Sequence, residues 1–282
     1  MGWAFVGWRV YIYREYFSEE KMDLRLKEKR AVVCGSTQGI GKAVAVELAL
    51  LGAHVTLMAR NEDKLKTVLR ELPTDAGQQH AYIVADFNFP DQVKAAIEAY
   101  VRMHTVHILV NNTGGPAAGM AIDARPEEFM QAFASHLVCN QLLVQACVHG
   151  MKEAKFGRII NVISSSVKIP IPGLGVSNTI RGAVANWAKT LATELAPYGI
   201  TVNNLLPGYI MTGRLQSLIR TRAEKSGRSE DEVTKAFMNE VPAGRIGDPW
   251  EIAAAAAFLA SPAAAYINGI NLPVDGGKIP SL

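Results

Sequence analysis

Cys34-Gly35-Ser36-Thr37-Gln38-Gly39-Ile40-Gly41 is the stretch on which the reading of this chain turns. The apolar run Ala31, Val32 and Val33 precedes it and an apolar-periodic segment from Lys42 to Leu51 follows, so it reads as strand, turn and helix. Glycines at the spacing G-x-x-x-G-x-G permit a tight turn, close approach of a bulky anion to the backbone, and close packing of helix on strand. The helix start offers unpaired N–H groups and the positive end of its dipole to a pyrophosphate. Three glycines alone also suit an ordinary turn. The segments beyond Gly41 decide between the two.

From Arg30 onward strands and helices alternate. Short apolar runs lie at Ala31–Cys34, His54–Met58, Ala81–Ala85, Val106–Val110, Arg158–Ile163, Thr201–Leu206 and Ile270–Val274. Most lack polar alternation, as expected of strands covered on both faces of a parallel sheet. Helical patterns fill the intervals at Gly41–Leu51, Glu62–Leu72, Asp91–Met103, Glu127–Glu153, Asn178–Ala196 and Pro249–Ala260. The last carries a start signal, Asp248 with Glu251 three residues on and Pro249 between them. The expectation is an α/β fold: one domain with a doubly wound, parallel, seven-stranded sheet, helices on both faces, and ligands at the carboxyl ends of the strands.

Composition narrows the function. At 282 residues and 49% apolar content the chain is long enough to bury a full core. A net charge of +3, from 29 basic and 26 acidic residues, is too small to argue for nucleic acid or a membrane surface. Cys34, Cys139 and Cys147 show no paired framework, which fits free thiols in a reducing cytoplasm. The six histidines form no cluster at metal-ligand spacing, so no metal is expected. Residues 1–21 stand apart, dense in aromatics (Trp3, Phe5, Trp8, Tyr11, Tyr13, Tyr16, Phe17) with Arg9 and Arg14 between them. No apolar run there approaches the ~18 residues of a membrane span. The segment reads as an upstream extension of a working protein that begins at Met22, or as an amphipathic surface-binding segment.

Cofactor specificity is read after the second strand. A dinucleotide fold that prefers NAD usually places an acid there to bind the adenosine ribose. This chain has Ala59-Arg60-Asn61, and the Arg60 guanidinium suits a 2′-phosphate. The expectation is NADP(H), with NAD(H) as the lesser choice. Asp86-Phe87 after the third strand offers an acceptor to an adenine amino group, and Asn112-Thr113-Gly114 after the fourth makes a rigid turn beside the cofactor.

The chain from about Leu24 onward resembles the short-chain dehydrogenase/reductase family of NAD(P)-dependent oxidoreductases. The matching motifs are Gly35-x-x-x-Gly39-x-Gly41, Asp86, Asn111-Asn112-x-Gly114, Pro207-Gly208-x-Ile210-x-Thr212 and Pro273-Val274-Asp275-Gly276-Gly277, in the family's order and intervals. The resemblance implies a Rossmann domain that transfers hydride between nicotinamide and a carbonyl or alcohol, with Thr212 near the nicotinamide carboxamide. It also implies a homotetramer or homodimer built on two long helices and the last strand.

The catalytic pattern departs from the family's main branch. That branch carries a Ser, a Tyr thirteen residues on, a Lys four further, and an Asn on the preceding long helix. Tyr is the general acid/base, Lys lowers its pKa and holds the nicotinamide ribose, and Ser polarises the carbonyl. Ser164 keeps its place here, but Ser177 stands for Tyr, Arg181 for Lys and His136 for Asn, while Thr113 replaces the usual Ala. A Ser hydroxyl is a weaker and shorter acid than a phenol, and Arg is a permanently charged fork of donors where Lys is a compact, tunable charge. Arg181 then serves to hold ribose hydroxyls or a substrate carboxylate, since a structural Arg at that depth needs another buried partner. His136 and Tyr209 are the alternative proton-handling groups, each against a plain packing role.

A divergent subgroup of the family shares Ser177-Asn178-x-x-Arg181, the Gly-Gly-Pro after the Asn pair and a long basic insertion, and its members resemble 3-oxoacyl reductases. That insertion, at about 213–244, carries Arg214, Arg220, Arg222, Lys225 and Arg228 and reads as a helical lid suited to an anionic substrate. The two readings are an oxidoreductase with a non-standard site, and a dinucleotide-binding sensor or scaffold with little redox activity. Dehydration or epimerisation on the same site is a third.

Overall fold

The computed structural model describes residues 22–281, and the aromatic segment before Met22 lies outside the described residues. Seven strands, β1 (Arg30–Cys34), β2 (His54–Ala59), β3 (Ala81–Val84), β4 (Ile108–Asn111), β5 (Gly157–Val162), β6 (Ile200–Pro207) and β7 (Asn271–Val274), form one sheet in the order β3-β2-β1-β4-β5-β6-β7. Every neighbouring pair is parallel. The order reverses between β1 and β4, and such a switch point opens a crevice at the carboxyl ends of the strands.

Successive strand residues point to opposite faces, and here both faces are apolar. Ala31 and Val33 pack into one cluster with α1 (Gly39–Leu50), α2 (Glu62–Glu71) and α9 (Pro249–Ala260). Val32 and Cys34 pack into another with α3 (Pro90–Val101), α5 (Cys139–Glu153) and α6 (Gly175–Leu195). This two-sided burial is why the strands read as unbroken apolar runs. The Asp248–Glu251 capping box starts α9 where the sequence puts it, with Pro249 in the first turn.

Asparagines interrupt the apolar interior in one row. Asn111, Asn161, Asn204 and Asn271 are in register across β4, β5, β6 and β7. Asn111 Nδ2 donates to Asn161 Oδ1 (2.8 Å), Asn161 Nδ2 to Asn204 Oδ1 (2.9 Å), and Asn204 Nδ2 to Asn271 Oδ1 (2.8 Å). The row ends at Asn111 Oδ1, which is buried without a hydrogen-bond partner.

Two helices differ from their expected form. The long helix expected over Glu127–Glu153 is α4 (Pro126–Phe133), a π-helical turn over Ala134–Val138, and then α5. Ser135 Oγ donates to the Gln131 carbonyl (2.9 Å), a back-bond that bends helices, and the widened turn carries His136. Helix α6 begins at Gly175 rather than Asn178, because the Gly175 N–H donates to the Gly119 carbonyl (3.0 Å) and anchors an extra turn on a distant loop. Strand ends differ by up to two residues, as at Ile108. The basic insertion forms α7 (Gly213–Ser226) and α8 (Glu230–Asn239), closed over a small core of Leu215, Ile219, Val233 and Phe237. Among the described residues no helix is long and apolar enough to cross a membrane, and the three cysteines are free and buried.

Candidate active site

The loop after β1 is built around close backbone approach. Gly35 has φ +60°, and a Cβ there would collide with the Asn112 carbonyl oxygen. A Cβ on Gly41 would strike the Gly35 carbonyl oxygen and come within 2.6 Å of Asn112 Nδ2. Asn112 Nδ2 donates to the Cys34 and Gly35 carbonyls at 3.2 and 3.3 Å, so the loop after β4 locks the loop after β1. Ser36 is fully buried, and its Oγ accepts the Met58 N–H (3.0 Å), tying the turn to β2. Its hydroxyl oxygen therefore has a structural task in the turn.

Helix α1 starts here without a cap. Gln38, its exposed N-cap residue, makes no side-chain cap bond, and the first turn holds no acid. Gly39, Ile40 and Gly41 thus present N–H groups that no side chain caps, next to the half-buried Thr37. This is the donor set a pyrophosphate requires, so the loop fits a dinucleotide.

The other expected cofactor residues follow the carboxyl ends of the neighbouring strands. Arg60 is exposed at the end of β2 and forms no ion pair among the described residues, whereas Asn61 Oδ1 caps α2 by accepting the Lys64 N–H (2.9 Å). Asn61 therefore has a structural task beside its expected one. Asp86 and Phe87 are half-buried after β3, and Asp86 Oδ1 accepts the Asn88 N–H (2.9 Å). After β6, the Gly208 N–H donates to the Val274 carbonyl from the residue following Pro207, and Ile210 bridges to Gly247. This turn brings Thr212 to Gly39, with Thr212 Cγ2 3.2 Å from where a Gly39 Cβ would sit. Thr212 Oγ1 also accepts the Leu215 N–H (3.4 Å) and so starts α7. A crevice of about 330 Å³ lies between the two helix starts, lined by Gly39, Lys42, Thr212, Gly213 and Trp250.

Deeper in, the four positions assigned to chemistry come from β5, α6 and the π turn. Ser164 follows β5, half-buried, and its Oγ accepts the Ser166 N–H (3.1 Å). Ser177 is 9% exposed in the first turn of α6. One turn on, Arg181 is 8% exposed and reaches across the sheet. Its Nη1 donates to the Val162 carbonyl (3.0 Å) and its Nη2 to the Thr113 carbonyl (3.4 Å). The Val162 carbonyl is the buried partner a structural Arg needs at this depth, and the Thr113 carbonyl is a half-buried second one. Arg181 thus joins the ends of β4 and β5 whatever else it binds. Burial, then the charge of Arg214, pull its pKa down to about 10.

His136 Nδ1 lies 2.6 Å from Thr113 Oγ1. Burial and the nearby Arg181 charge lower the His136 pKa to about 3, so the ring is neutral at physiological pH. It borders a cavity of about 430 Å³ with Gly114, Gly115, Ser135 and Val176. Tyr209 is turned elsewhere: its hydroxyl donates to Glu240 Oε2 (2.6 Å), and its ring packs edge-on against Phe237. That is the packing role, against the small core of α7 and α8.

Two residues gain importance from the structure. Asn178 clamps the loop after β5 by bonding both the N–H and the carbonyl of Ile171. Arg214, read in the sequence as one of several lid charges, donates to the Gly115 and Pro116 carbonyls at 3.3 and 2.7 Å. No sequence signal pairs residues so far apart.

Fold and loop geometry together define a dinucleotide-binding α/β protein. A family model described as enoyl-(acyl carrier protein) reductase matches residues 35–278. The chain is 37% identical over 257 residues to a 3-oxoacyl-[acyl-carrier-protein] reductase of Vibrio cholerae, covering 90% of this chain and 98% of that one. It is 29% identical to the NADPH-dependent reductase BacG of Bacillus subtilis, covering 91% and 100%. The crystal structure of L-sorbose reductase from Gluconobacter frateurii, complexed with NADPH and L-sorbose, superposes with a TM-score of 0.87 at 30% identity, covering 93% and 100%. This chain belongs to the short-chain dehydrogenase/reductase family of oxidoreductases.

Proposed function

We propose that the protein is an NADP(H)-dependent reductase or dehydrogenase of a small carbonyl/alcohol pair, akin to 3-oxoacyl reductases. The observation that carries this reading is the uncapped Gly39–Gly41 helix start locked by Asn112, with Ser164, Ser177 and Arg181 at the neighbouring strand ends. Exposed Arg60, without an ion-pair partner among the described residues, supports a 2′-phosphate, as do the NADPH-dependent relatives.

A nicotinamide dinucleotide held by the Gly35–Gly41 loop, Asn112 and Arg60 would supply or accept the hydride. On the protein side, Ser164 Oγ polarises the substrate oxygen and Ser177 Oγ faces it from α6. Arg181 holds the ends of β4 and β5 at fixed spacing and places positive charge where the family has Lys. In reduction the substrate oxygen takes its proton from solvent water through His136 and Thr113 Oγ1, and in oxidation the proton leaves by the same route: a ring that stays neutral serves as a relay rather than as a stored acid. Helices α7 and α8 act as the lid that excludes water. We also place the protein in the cytoplasm, supported by its three free buried thiols, as a homodimer or homotetramer in which the open edge at β7 and exposed Met130 and Phe133 meet a second copy.

The test is transfer of deuterium from NADPH labelled at its reactive ring carbon into carbonyl metabolites, read by mass spectrometry. Label in an alcohol product supports the reading and names the substrate. NADPH binding without transfer to any compound favours the second reading, a dinucleotide-binding sensor, whose support is that Arg181 is already held by carbonyls. Ser177→Tyr with Arg181→Lys separates the two: it creates reductase activity in an inert scaffold and impairs a working Ser/Arg site.

A further inference from the structure

Two guanidinium groups converge on the loop after β4. Arg181 approaches from below through the Thr113 carbonyl, and Arg214 approaches from the lid through the Gly115 and Pro116 carbonyls. A Cβ on Gly115 would lie 3.5 Å from Arg214 Nη2 and 3.9 Å from Arg181 Nη2, so one point touches both forks. Neither forms an ion pair among the described residues, and all their bonds go to neutral carbonyls.

The arrangement is electrostatically incomplete. A buried charge is normally paired, and two like charges this close disfavour one another. Arg158 is likewise held by neutral carbonyls, but by more of them and with an aromatic ring beside it. It too is buried, at the opposite end of the sheet; its donors go to the Gly157, Gly199 and Ser261 carbonyls and its guanidinium lies 4.1 Å from the Phe156 ring centre. Arg181 has five N–H donors, of which the protein engages two, one of them at 3.4 Å. Exposed Arg214 holds only carbonyls of a glycine-proline turn, which an oxyanion displaces, since charge-assisted bonds are about twice as strong as neutral ones.

We infer that Arg181 and Arg214 form the subsite for a carboxylate on the substrate, making the substrate class oxo acids and their hydroxy-acid products. This rests on the oxidoreductase reading above and names its substrate class. Arg214 is the specificity residue: it leaves the Gly115 and Pro116 carbonyls for the carboxylate and draws α7 over the site. A planar carboxylate matches the guanidinium fork bidentately, which a neutral amide or ester does not.

The experiment compares pyruvate, acetoacetate and 2-oxoglutarate with pyruvamide and acetoacetamide, and with dihydroxyacetone phosphate as the phosphate arm. NADPH oxidation gives kcat and KM; calorimetric titration of the same compounds into the protein–NADP⁺ complex gives binding without turnover. The expected result is carboxylate binding in the titration and an acid-to-amide preference in kcat/KM that falls about 10- to 100-fold in Arg214→Ala, with Arg214→Lys intermediate. Equal handling of acids and amides overturns the inference, as does preference for the phosphate ester. Loss of NADPH affinity in Arg214→Ala as large as the loss for the acid overturns it too, by giving the guanidinium to the cofactor. The two readings fail separately. Carboxylate binding that needs Arg214, without any hydride transfer, keeps the subsite and removes the oxidoreductase reading. Reduction of neutral carbonyls without carboxylate binding does the reverse.

Discussion

His136 Nδ1 and Thr113 Oγ1 stand 2.6 Å apart, joining the π turn after α4 to the loop after β4. The contact exists because the helix widens at Ala134–Val138 and turns residue 136 inward, where it is 2% exposed. It couples the substituted Asn position to the loop that also receives Arg181. We expect Thr113→Val and His136→Phe each to lower kcat by about 10²- to 10⁴-fold, the usual worth of a proton-handling group, while KM moves less. Steady-state kinetics on the substrate found by deuterium transfer checks this. A larger effect on KM than on kcat assigns the pair to packing.

The same burial makes stability depend on pH. The His136 pKa falls from 6.5 unfolded to about 3 folded, and His107, desolvated and near Lys29 and Arg30, falls to about 4. A depressed pKa means that the unfolded chain takes up the proton first, so stability is complete above pH 6.5 and declines as pH falls toward 4 and 3. Urea midpoints measured across that range are expected to drop steadily, and His136→Asn is expected to flatten the slope. An unchanged slope in the variant removes His136 from the acid transition.

Arg181 holds Val162 and Thr113 by their carbonyls, so truncation has a structural consequence apart from catalysis. Arg181→Ala leaves the buried Val162 carbonyl without its donor, worth about 1–3 kcal/mol, and the half-buried Thr113 carbonyl without a longer bond worth less. We expect a loss of about 2–4 kcal/mol in urea unfolding for Arg181→Ala and a smaller one for Arg181→Lys, since a single ammonium replaces the fork at only one carbonyl. Equal stability of the two variants and the parent would show that neither carbonyl depends on the guanidinium.

The asparagine row predicts a stability effect at its middle member. Asn161→Leu removes the acceptor of Asn111 and the donor to Asn204 while keeping a similar volume. Two buried amides lose a partner, and we expect a destabilisation of about 2–4 kcal/mol in urea with an unchanged denaturant slope. A neutral result would mean that the row repacks without it.

Gly41→Ala tests the cradle. The added Cβ meets the Gly35 carbonyl oxygen and Asn112 Nδ2, which forces apart the loops after β1 and β4. NADPH affinity measured by fluorescence titration is expected to fall at least about tenfold, together with the thermal midpoint. Wild-type affinity in the variant would remove this loop from the cofactor site.

How much of this was legible in the chain follows from the range of each interaction. The turn made by Gly35, Gly39 and Gly41, the apolar strands and the Asp248–Glu251 start signal have a local spacing that declares them, although what presses on the glycines, Asn112 and Thr212, is distant in the chain. The sequence therefore determined the sheet and the uncapped, glycine-rich helix start, and it placed Ser177 and Arg181 four residues apart on one helix. Burial on both sheet faces follows from the same apolar runs. Tertiary structure alone decided what the replacements touch. Arg181 meets Thr113 across 68 positions and Arg214 meets Pro116 across 98. The π turn that aims His136 carries the Ser135 back-bond, but a lone Ser within a helical pattern does not by itself announce a bulge. Hydrogen bonds and charges act over a few ångströms of space and leave no period along the chain, so the environment of each site residue was settled only when the strands brought their loops together.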